Sequence, residues 1–143
     1  MTGKKLLVVD DQQGVRFLIS EIFQEEGFNV AEASNYEEAI EVAKKFMPDI
    51  ALVDMRLGNN AGYDGGDIVK ELKQHIPELV PIVVTAHSEP DKLNKAIKSG
   101  AVYCLEKPFD VEKIVSVVNE QYVKYFSYTI KQNFTETGRK KSG

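Results

Sequence analysis

Five short strand-like segments alternate with five segments of helical periodicity, and this alternation constrains the fold of the 143-residue chain more than any other feature. Residues 5–9, 48–54 and 80–85 have the length and the continuous apolar character of parallel strands buried on both faces, and residues 29–33 and 102–105 are expected to be two further short strands. The apolar residues of the intervening segments recur every three or four positions, as in amphipathic helices. The expected strands are residues 5–9, 29–33, 48–54, 80–85 and 102–105, and the expected helices are residues 14–26, 36–46, about 67–75, 90–99 and about 110–125.

Strands that alternate with helices along a chain form a parallel sheet with right-handed crossovers and helices on both faces. We therefore predict an α/β domain of the flavodoxin-like class with five parallel strands in the order 2-1-3-4-5. This order places the carboxyl ends of the first and third strands side by side, at the edge where open α/β sheets bind ligands. Asp10 and Asp11 follow the first strand and Asp54 ends the third, so the three carboxylates are expected to converge.

The composition limits the class of protein and its compartment. Lysine and arginine number 18 against 22 aspartates and glutamates, and the resulting net charge of −4 argues against nucleic acid as a partner. Cys104 is the single cysteine, so an internal disulfide is impossible and a reducing compartment is expected. No stretch has the pattern of a signal peptide or of a membrane span. We expect one soluble, cytoplasmic domain with no membrane partner.

Three carboxylates at one edge of a sheet repel one another unless a cation compensates them. Oxygen ligands without histidine or thiolate suit Mg²⁺. The alternative is that Asp10 or Asp11 merely caps the following helix. Likewise, Thr85 could be an ordinary strand residue and Lys107 a solvated lysine. Because all of these residues fall at the same edge of the predicted sheet, a shared site is the better interpretation.

The predicted cluster has the parts that phosphoryl transfer requires. Asp54 offers a nucleophilic carboxylate, Thr85 a hydroxyl and Lys107 a fixed ammonium beside the metal site, and such chemistry depends mainly on positioning and charge neutralisation. Gly3, Lys4 and Lys5 lack the spacing of a phosphate-binding loop and precede the first strand instead of following it. A nucleotide held by this chain is therefore not the expected phosphoryl source.

Four motifs in register resemble the receiver domain of two-component response regulators over residues 4–125. They are Asp10-Asp11, Asp54, Thr85-Ala86 and Lys107-Pro108-Phe109. The amino-terminal half looks most like the single-domain phosphorelay regulator of sporulating bacteria. The resemblance implies that Asp54 accepts a phosphoryl group from the phosphohistidine of a histidine kinase or phosphotransfer protein. The chain would then be a switch or phosphorelay shuttle that catalyses only its own phosphorylation and dephosphorylation.

The same resemblance implies a role for each site residue. Asp11, Asp54 and the backbone carbonyl of Arg56 would ligate Mg²⁺, with Asp10 assisting. Thr85, Ala86 and Lys107 would contact the phosphoryl oxygens, and the Lys107–Pro108 peptide bond would be cis. A four-helix phosphotransfer or kinase dimerisation domain would dock on a further set of residues, although for Val15 and Leu18 core packing is the alternative. The set is Gln12, Gln13, Gly14, Val15, Leu18, Lys107, Pro108 and Phe109.

The sequence departs from the family pattern at three places. Gly58 stands where receivers usually have proline, and about three extra residues precede Asp64-Gly65 at the end of that loop. Cys104 occupies the position of the usual switch aromatic, and Tyr103 should point to the opposite face of its strand. Arg56 and His87 flank the path of the water that attacks the acyl phosphate in receivers. We expect Arg56 and His87 to set the phosphoryl lifetime.

Two alternatives and several questions stay open from the sequence. A Mg²⁺-dependent phosphohydrolase would share the chemistry, and a pseudo-receiver would bind partners without being phosphorylated. Residues 1–125 are expected to form the receiver domain, and residues 126–143 an extension that is aromatic, then basic and disordered at its end. Phosphorylation-dependent homodimerisation through the fourth and fifth helices is an alternative that stays open beside a monomer. The sequence identifies neither the kinase nor the target.

Overall fold

The computed structural model describes residues 3–57, 62–86 and 90–127. Within them, five parallel strands form one sheet in the order β2-β1-β3-β4-β5, which confirms the predicted topology. The strands are β1 (Lys4–Val9), β2 (Phe28–Ala33), β3 (Ile50–Asp54), β4 (Val80–Thr85) and β5 (Tyr103–Glu106). The helices are α1 (Gln13–Glu25), α2 (Tyr36–Phe46), α3 (Gly65–His75), α4 (Pro90–Ser99) and α5 (Val111–Tyr122), and a π-helical turn, Val123–Ser127, follows α5.

The sheet is covered on both faces, which explains why its inner strands β3 and β4 are buried along their whole length. All five residues of β3 are buried, and successive side chains enter opposite cores. Ile50 and Leu52 pack on the side of α1 and α5, whereas Ala51 and Val53 pack on the side of α2, α3 and α4. Asp54 therefore ends a strand that is rigidly held along its whole length.

Capping residues set the helix ends more sharply than periodicity does. Asn35 caps α2, because its side chain accepts the Glu38 N–H at 2.8 Å. The predicted start of α3 at about residue 67 is wrong. Asp64 and Asp67 form a reciprocal capping box, so that α3 begins at Gly65.

Other boundaries differ from the expectation by one to three residues: β1 begins at Lys4, β2 at Phe28 and β3 at Ile50, α1 runs Gln13–Glu25, and α5 begins at Val111. Strand β5 begins at Tyr103, one residue later than predicted, and extends to Glu106, which pairs with Thr85. Helix α5 ends at Tyr122, and the chain continues as the π-helical turn, in which Phe126 stacks on Tyr122 with ring centroids 4.8 Å apart. Residues 128–143 of the predicted extension lie outside the described residues. None of the helices in the described ranges combines the length and apolar character needed to span a membrane.

Candidate functional site

The carboxyl ends of β1 and β3 bring three acidic side chains together. Val9 pairs with Val53, so Asp10 and Asp54 are the next residues on neighbouring strands. Asp10, Asp11 and Asp54 can each offer a ligand oxygen, and these atoms lie within 4.8 Å of one another. Asp10 and Asp54 are buried, whereas Asp11 is exposed. The cluster is thus closed on the side of the core and open to solvent at Asp11.

Backbone N–H groups hold the two buried carboxylates in place. The Gln12 N–H donates to Asp10 Oδ1 at 2.8 Å, and the Arg56 N–H donates to Asp54 Oδ1 at 3.0 Å. In each case the donor lies two residues after the acid, as in the local turns that aspartate favours. The Asp10 N–H in turn donates to the Ala33 carbonyl at 3.1 Å. Hydrogen bonds with backbone groups therefore fix the positions of Asp10 and Asp54.

The structure does not support the alternative that these acids serve as the helix cap. Gln12 occupies the N-cap position of α1, and its side chain makes no capping hydrogen bond. Asp10 and Asp11 precede that position, so neither acid is the N-cap residue of α1. The two acids are instead available at the edge of the sheet.

Lys107 provides the positive charge nearest to Asp54 among the described residues. Its Nζ lies 3.2 Å from Asp54 Oδ2. The Lys107 N–H donates to the Thr85 carbonyl at 2.7 Å, which fixes the loop after β5 to the end of β4. The Lys107–Pro108 peptide bond is cis, as the resemblance implied. Asp54 therefore has one oxygen paired with an ammonium and the other with a backbone N–H.

Burial and crowding perturb the titration of Asp10. The pKa of this carboxyl rises from 3.8 to about 6, mainly because the group is buried and also because of the charge of Asp54 and a hydrogen bond with it. The Gln12 N–H and the Lys107 ammonium lower the pKa by smaller amounts. The cluster therefore has more negative charge than its surroundings compensate. Three oxygen-donor side chains with uncompensated charge fit a hard divalent cation such as Mg²⁺.

The remaining predicted contacts of a phosphoryl group lie at the same edge. Thr85 is the buried last residue of β4, which pairs with β3, and Ala86 follows it as a half-buried residue. Arg56 follows Asp54 by two residues and is exposed. The predicted lifetime residue His87 lies outside the described residues, as does Gly58. The structure thus brings Thr85, Ala86 and Arg56 to the edge occupied by Asp54.

The position of the usual switch aromatic is occupied by a thiol. Cys104 is half-buried and packs against the core shared with α2, α3 and α4, whereas Tyr103 packs on the other face of the sheet. The opposite orientations confirm the prediction from strand alternation. Burial also raises the pKa of the Cys104 thiol. Neither residue 103 nor residue 104 therefore presents an aromatic ring to the core shared with α2, α3 and α4.

The predicted docking residues lie at the start of α1 and in the loop before α5. Leu18 is 58% exposed, so the alternative that it packs in the core is wrong. Val15 is half-buried and packs against the core beneath α1. Phe17, which the sequence analysis did not single out, is also exposed. The remaining members are Gln12, Gln13, Gly14 and Pro108, which are exposed, and Lys107 and Phe109, which are half-buried.

Sequence reasoning missed two residues that touch the site through its backbone. The Arg16 guanidinium donates to the Asp10 carbonyl at 2.7 Å. Gly65 lies so close to β3 that a methyl group there would stand 2.6 Å from the Asp54 carbonyl oxygen and 2.8 Å from Met55 Cα. The Asp-Gly pair that ends the loop was a signal for the second contact. No comparable sequence signal marks Arg16.

Comparison with known proteins agrees with this geometry. Residues 6–119 match the family model of the response regulator receiver domain. The chain is 35% identical over 120 residues to Sporulation initiation phosphotransferase F of Bacillus subtilis, an alignment that covers 84% of this chain and 94% of that protein.

Two solved structures are similar as well. A CheY-like response regulator receiver domain protein from Methanospirillum hungatei shares the fold, with a TM-score of 0.81 over 87% of this chain and 98% of that one at 20% identity. A response regulator protein from Burkholderia pseudomallei, solved with a phosphorylated aspartic acid, a calcium ion and citrate, is 28% identical. Its TM-score is 0.72, over 79% of this chain and 65% of that one. The chain belongs to the family of response regulator receiver domains.

Proposed function

We propose that Asp54 accepts a phosphoryl group from the phosphohistidine of a histidine kinase or phosphotransfer protein, in a reaction that requires Mg²⁺. The observation that carries the proposal is the convergence of three carboxylates within 4.8 Å, with Lys107 Nζ 3.2 Å from Asp54 Oδ2. A similar response regulator from Burkholderia pseudomallei contains a phosphorylated aspartic acid and a calcium ion. The protein would act as a phosphorylation switch or as a shuttle in a phosphorelay.

The metal site would consist of oxygen donors from two loops. Asp11 and Asp54 would hold Mg²⁺ directly with the backbone carbonyl of Arg56, and Asp10 would assist. When bound, Mg²⁺ supplies positive charge that compensates both the carboxylates and the oxygens of the incoming phosphoryl group. The high pKa of Asp10 supports this assignment, because it reflects a buried acid whose charge is incompletely compensated.

The chemical step needs only the residues at this edge and the donor. An oxygen of the Asp54 carboxylate attacks phosphorus, the P–N bond of the phosphohistidine breaks, and the imidazole nitrogen keeps the bonding electron pair. Lys107, Thr85 and Ala86 would contact the oxygens of the transferred group. The product is an acyl phosphate on Asp54. Hydrolysis of that acyl phosphate restores the carboxylate, and Arg56 and His87 would set its rate.

A receiver of this kind communicates through its surface. The start of α1 and the loop before α5 would dock the four-helix domain that presents the phosphohistidine, and the exposed Leu18 supports this use of α1. We place this exchange in the cytoplasm, with no nucleic-acid or membrane partner. Phosphorylation-dependent pairing of two copies through α4 and α5 is part of the same proposal. Residues 126–143 would form an extension after the receiver domain of residues 1–125, and its first residue, Phe126, packs against the core of that domain.

Intact-mass spectrometry after incubation with acetyl phosphate tests the proposal. The full chain should gain one phosphoryl group in Mg²⁺ and none in excess chelator, and Asp54→Ala should gain none. Asp91→Asn, which changes an exposed acid in the first turn of α4, is the matched control and should react as the unmodified chain does.

Three other outcomes would contradict the proposal. No adduct in a chain that binds Mg²⁺ would favour a pseudo-receiver that works as a phosphorylation-independent binding module. An adduct that persists in Asp54→Ala would place the acceptor elsewhere. Multiple turnover on phosphate esters would indicate a phosphohydrolase instead of a protein that catalyses only its own phosphorylation and dephosphorylation.

A further inference from the structure

Arg16 contacts the acidic cluster through the backbone and not through the carboxylates. Its Nη1 donates to the Asp10 carbonyl at 2.7 Å, and its Nε lies 3.4 Å from Glu32 Oε1 on β2. The Arg16 side chain is only 15% exposed, so the guanidinium is held between α1 and the edge strand of the sheet. The residue therefore has a fixed position next to the site that the proposed phosphorylation does not use.

The hydrogen bond from Arg16 is the third of three that hold Asp10, the residue before Asp11. The Asp10 N–H donates to the Ala33 carbonyl, the Asp10 side chain accepts the Gln12 N–H, and the Asp10 carbonyl accepts from Arg16. The carbonyl of Asp10 belongs to the same planar peptide unit as the Asp11 N–H. Holding this carbonyl therefore fixes the orientation of the peptide that leads to Asp11, the exposed member of the cluster.

Glu32 is the carboxylate that pairs with the guanidinium of Arg16. The carboxylate of Glu32 takes the Nε side of the guanidinium, while Nη1 is used by the Asp10 carbonyl. The planar fork of arginine can hold two such partners at once, whereas the ammonium of lysine cannot fix both with the same geometry. Lys107 is the side chain that pairs with a carboxylate of the cluster. Arg16 therefore orients the backbone at Asp10, whereas Lys107 compensates the negative charge of Asp54.

We propose that Arg16 is a positioning residue for the Mg²⁺ site, which it serves by fixing the Asp10–Asp11 peptide while Glu32 keeps its charge away from the ligand carboxylates. The inference rests on the proposed function, because it assumes that this cluster binds the metal. Partners of metal ligands commonly change metal affinity by about 10-fold or more when they are removed.

The direction in which Mg²⁺ affinity changes when Arg16 is replaced distinguishes a positioning role from a purely electrostatic one. Removing a positive charge near a cation site strengthens Mg²⁺ binding if only Coulomb interactions matter. Removing a group that orients the ligands weakens it. Arg16→Met deletes both the charge and the hydrogen bonds, so the two effects oppose each other in this variant. Arg16→Lys keeps the charge and can make one of the two contacts but not both, so any weakening of Mg²⁺ binding in this variant reflects a partial loss of positioning.

The test is a Mg²⁺ titration of the full chain followed by NMR. The amide signals of Gln12 and Arg56 are suitable reporters, because their N–H groups donate to the carboxylates of Asp10 and Asp54. We expect the dissociation constant to rise about 10-fold in Arg16→Met and to rise by a smaller factor in Arg16→Lys. Lys45→Met, which removes an equal charge from an exposed pair on α2, should leave it unchanged.

A second measurement shows whether a variant of Arg16 loses Mg²⁺ affinity only because its fold is destabilised. Chemical unfolding of each variant in chelator reports the stability of the metal-free fold, and Glu32→Gln offers a milder perturbation should Arg16→Met fail to fold. We expect Glu32→Gln to weaken Mg²⁺ binding less than Arg16→Met does.

An unchanged or lower dissociation constant in Arg16→Met and Arg16→Lys, with normal binding by the unmodified chain, overturns the positioning role alone. A loss of stability without a change in affinity does the same. Absence of Mg²⁺ binding in the unmodified chain overturns both the inference and the proposed function.

Discussion

Replacing Asp10 by asparagine should stabilise the metal-free protein at neutral pH. Asp10 is buried beside Asp54, and its ionised form is disfavoured in the fold relative to the unfolded chain. Asparagine has nearly the same shape and keeps a side-chain oxygen that can accept the Gln12 N–H. The substitution therefore removes the cost of the charge while it preserves the local turn.

The size of the effect follows from the pKa of Asp10. A rise from 3.8 to about 6 corresponds to about 3 kcal/mol of unfolding free energy. Because the folded protein holds the proton more tightly than the unfolded chain does, this stability is fully present below pH 3.8 and is lost as the pH rises through about 6. At pH 7 the unmodified protein has lost this contribution. Asp10→Asn should be more stable there by up to about 3 kcal/mol.

Urea unfolding in chelator at pH 7 and near pH 4 measures the prediction. The difference in stability between Asp10→Asn and the unmodified chain should be large at pH 7 and should shrink toward zero at the lower pH. Addition of Mg²⁺ at pH 7 should stabilise the unmodified chain more than the variant. A variant that is no more stable at pH 7, or a gain that is the same at both pH values, would refute the reasoning.

Three further changes test other parts of the account. Mg²⁺ affinity of the unmodified chain should fall as the pH drops below about 6, because protonated Asp10 no longer attracts the metal; a flat calorimetric titration series from pH 7.5 to 5 would contradict this. Gly65→Ala should lose about 2 kcal/mol of stability through its clash with the Asp54 carbonyl, whereas Gly14→Ala, with no atom within 4 Å, should gain about 0.5 kcal/mol. Equal effects of the two glycine substitutions in urea unfolding would argue against the close approach at Gly65. Leu18→Ala should slow phosphoryl transfer from a phosphohistidine protein and leave the reaction with acetyl phosphate unchanged, since Leu18 is exposed and remote from the chemistry.

The fold was predictable because its pattern is redundant along the chain. Each strand of the sheet is followed along the chain by a helix, and this order allows few topologies. The convergence of Asp10 and Asp54 follows from the same logic, because β1 and β3 are neighbours in the sheet. Helix boundaries that depend on a specific side chain were harder to predict from the sequence. The start of α3 depends on the reciprocal bonds of Asp64 and Asp67, which override the apolar periodicity.

Other features depend on contacts that no local pattern encodes. Leu18 lies at the flank of the apolar stripe of α1, so only the packing of the helix decides that it faces solvent. The contact between Arg16 and the Asp10 carbonyl requires the long side chain to fold back along α1 toward β2. The π-helical turn after α5 accompanies the stacking of Tyr122 on Phe126 and its edge contact with Phe28. The last two also involve a partner distant in sequence, which is Glu32 for Arg16 and Phe28 for Tyr122.

The identity of the phosphorylated residue decides whether Asp54 is the phosphoryl acceptor. The full chain would be phosphorylated in Mg²⁺ by a phosphohistidine donor, the acyl phosphate reduced with borohydride, and the modified residue located by peptide mass spectrometry. Borohydride converts an aspartyl phosphate to homoserine, so the position of the new homoserine marks the acceptor. Homoserine at position 54, and its absence when Mg²⁺ is chelated, is the predicted result. Homoserine at another position, or none in a protein that binds both Mg²⁺ and the donor, would contradict the account.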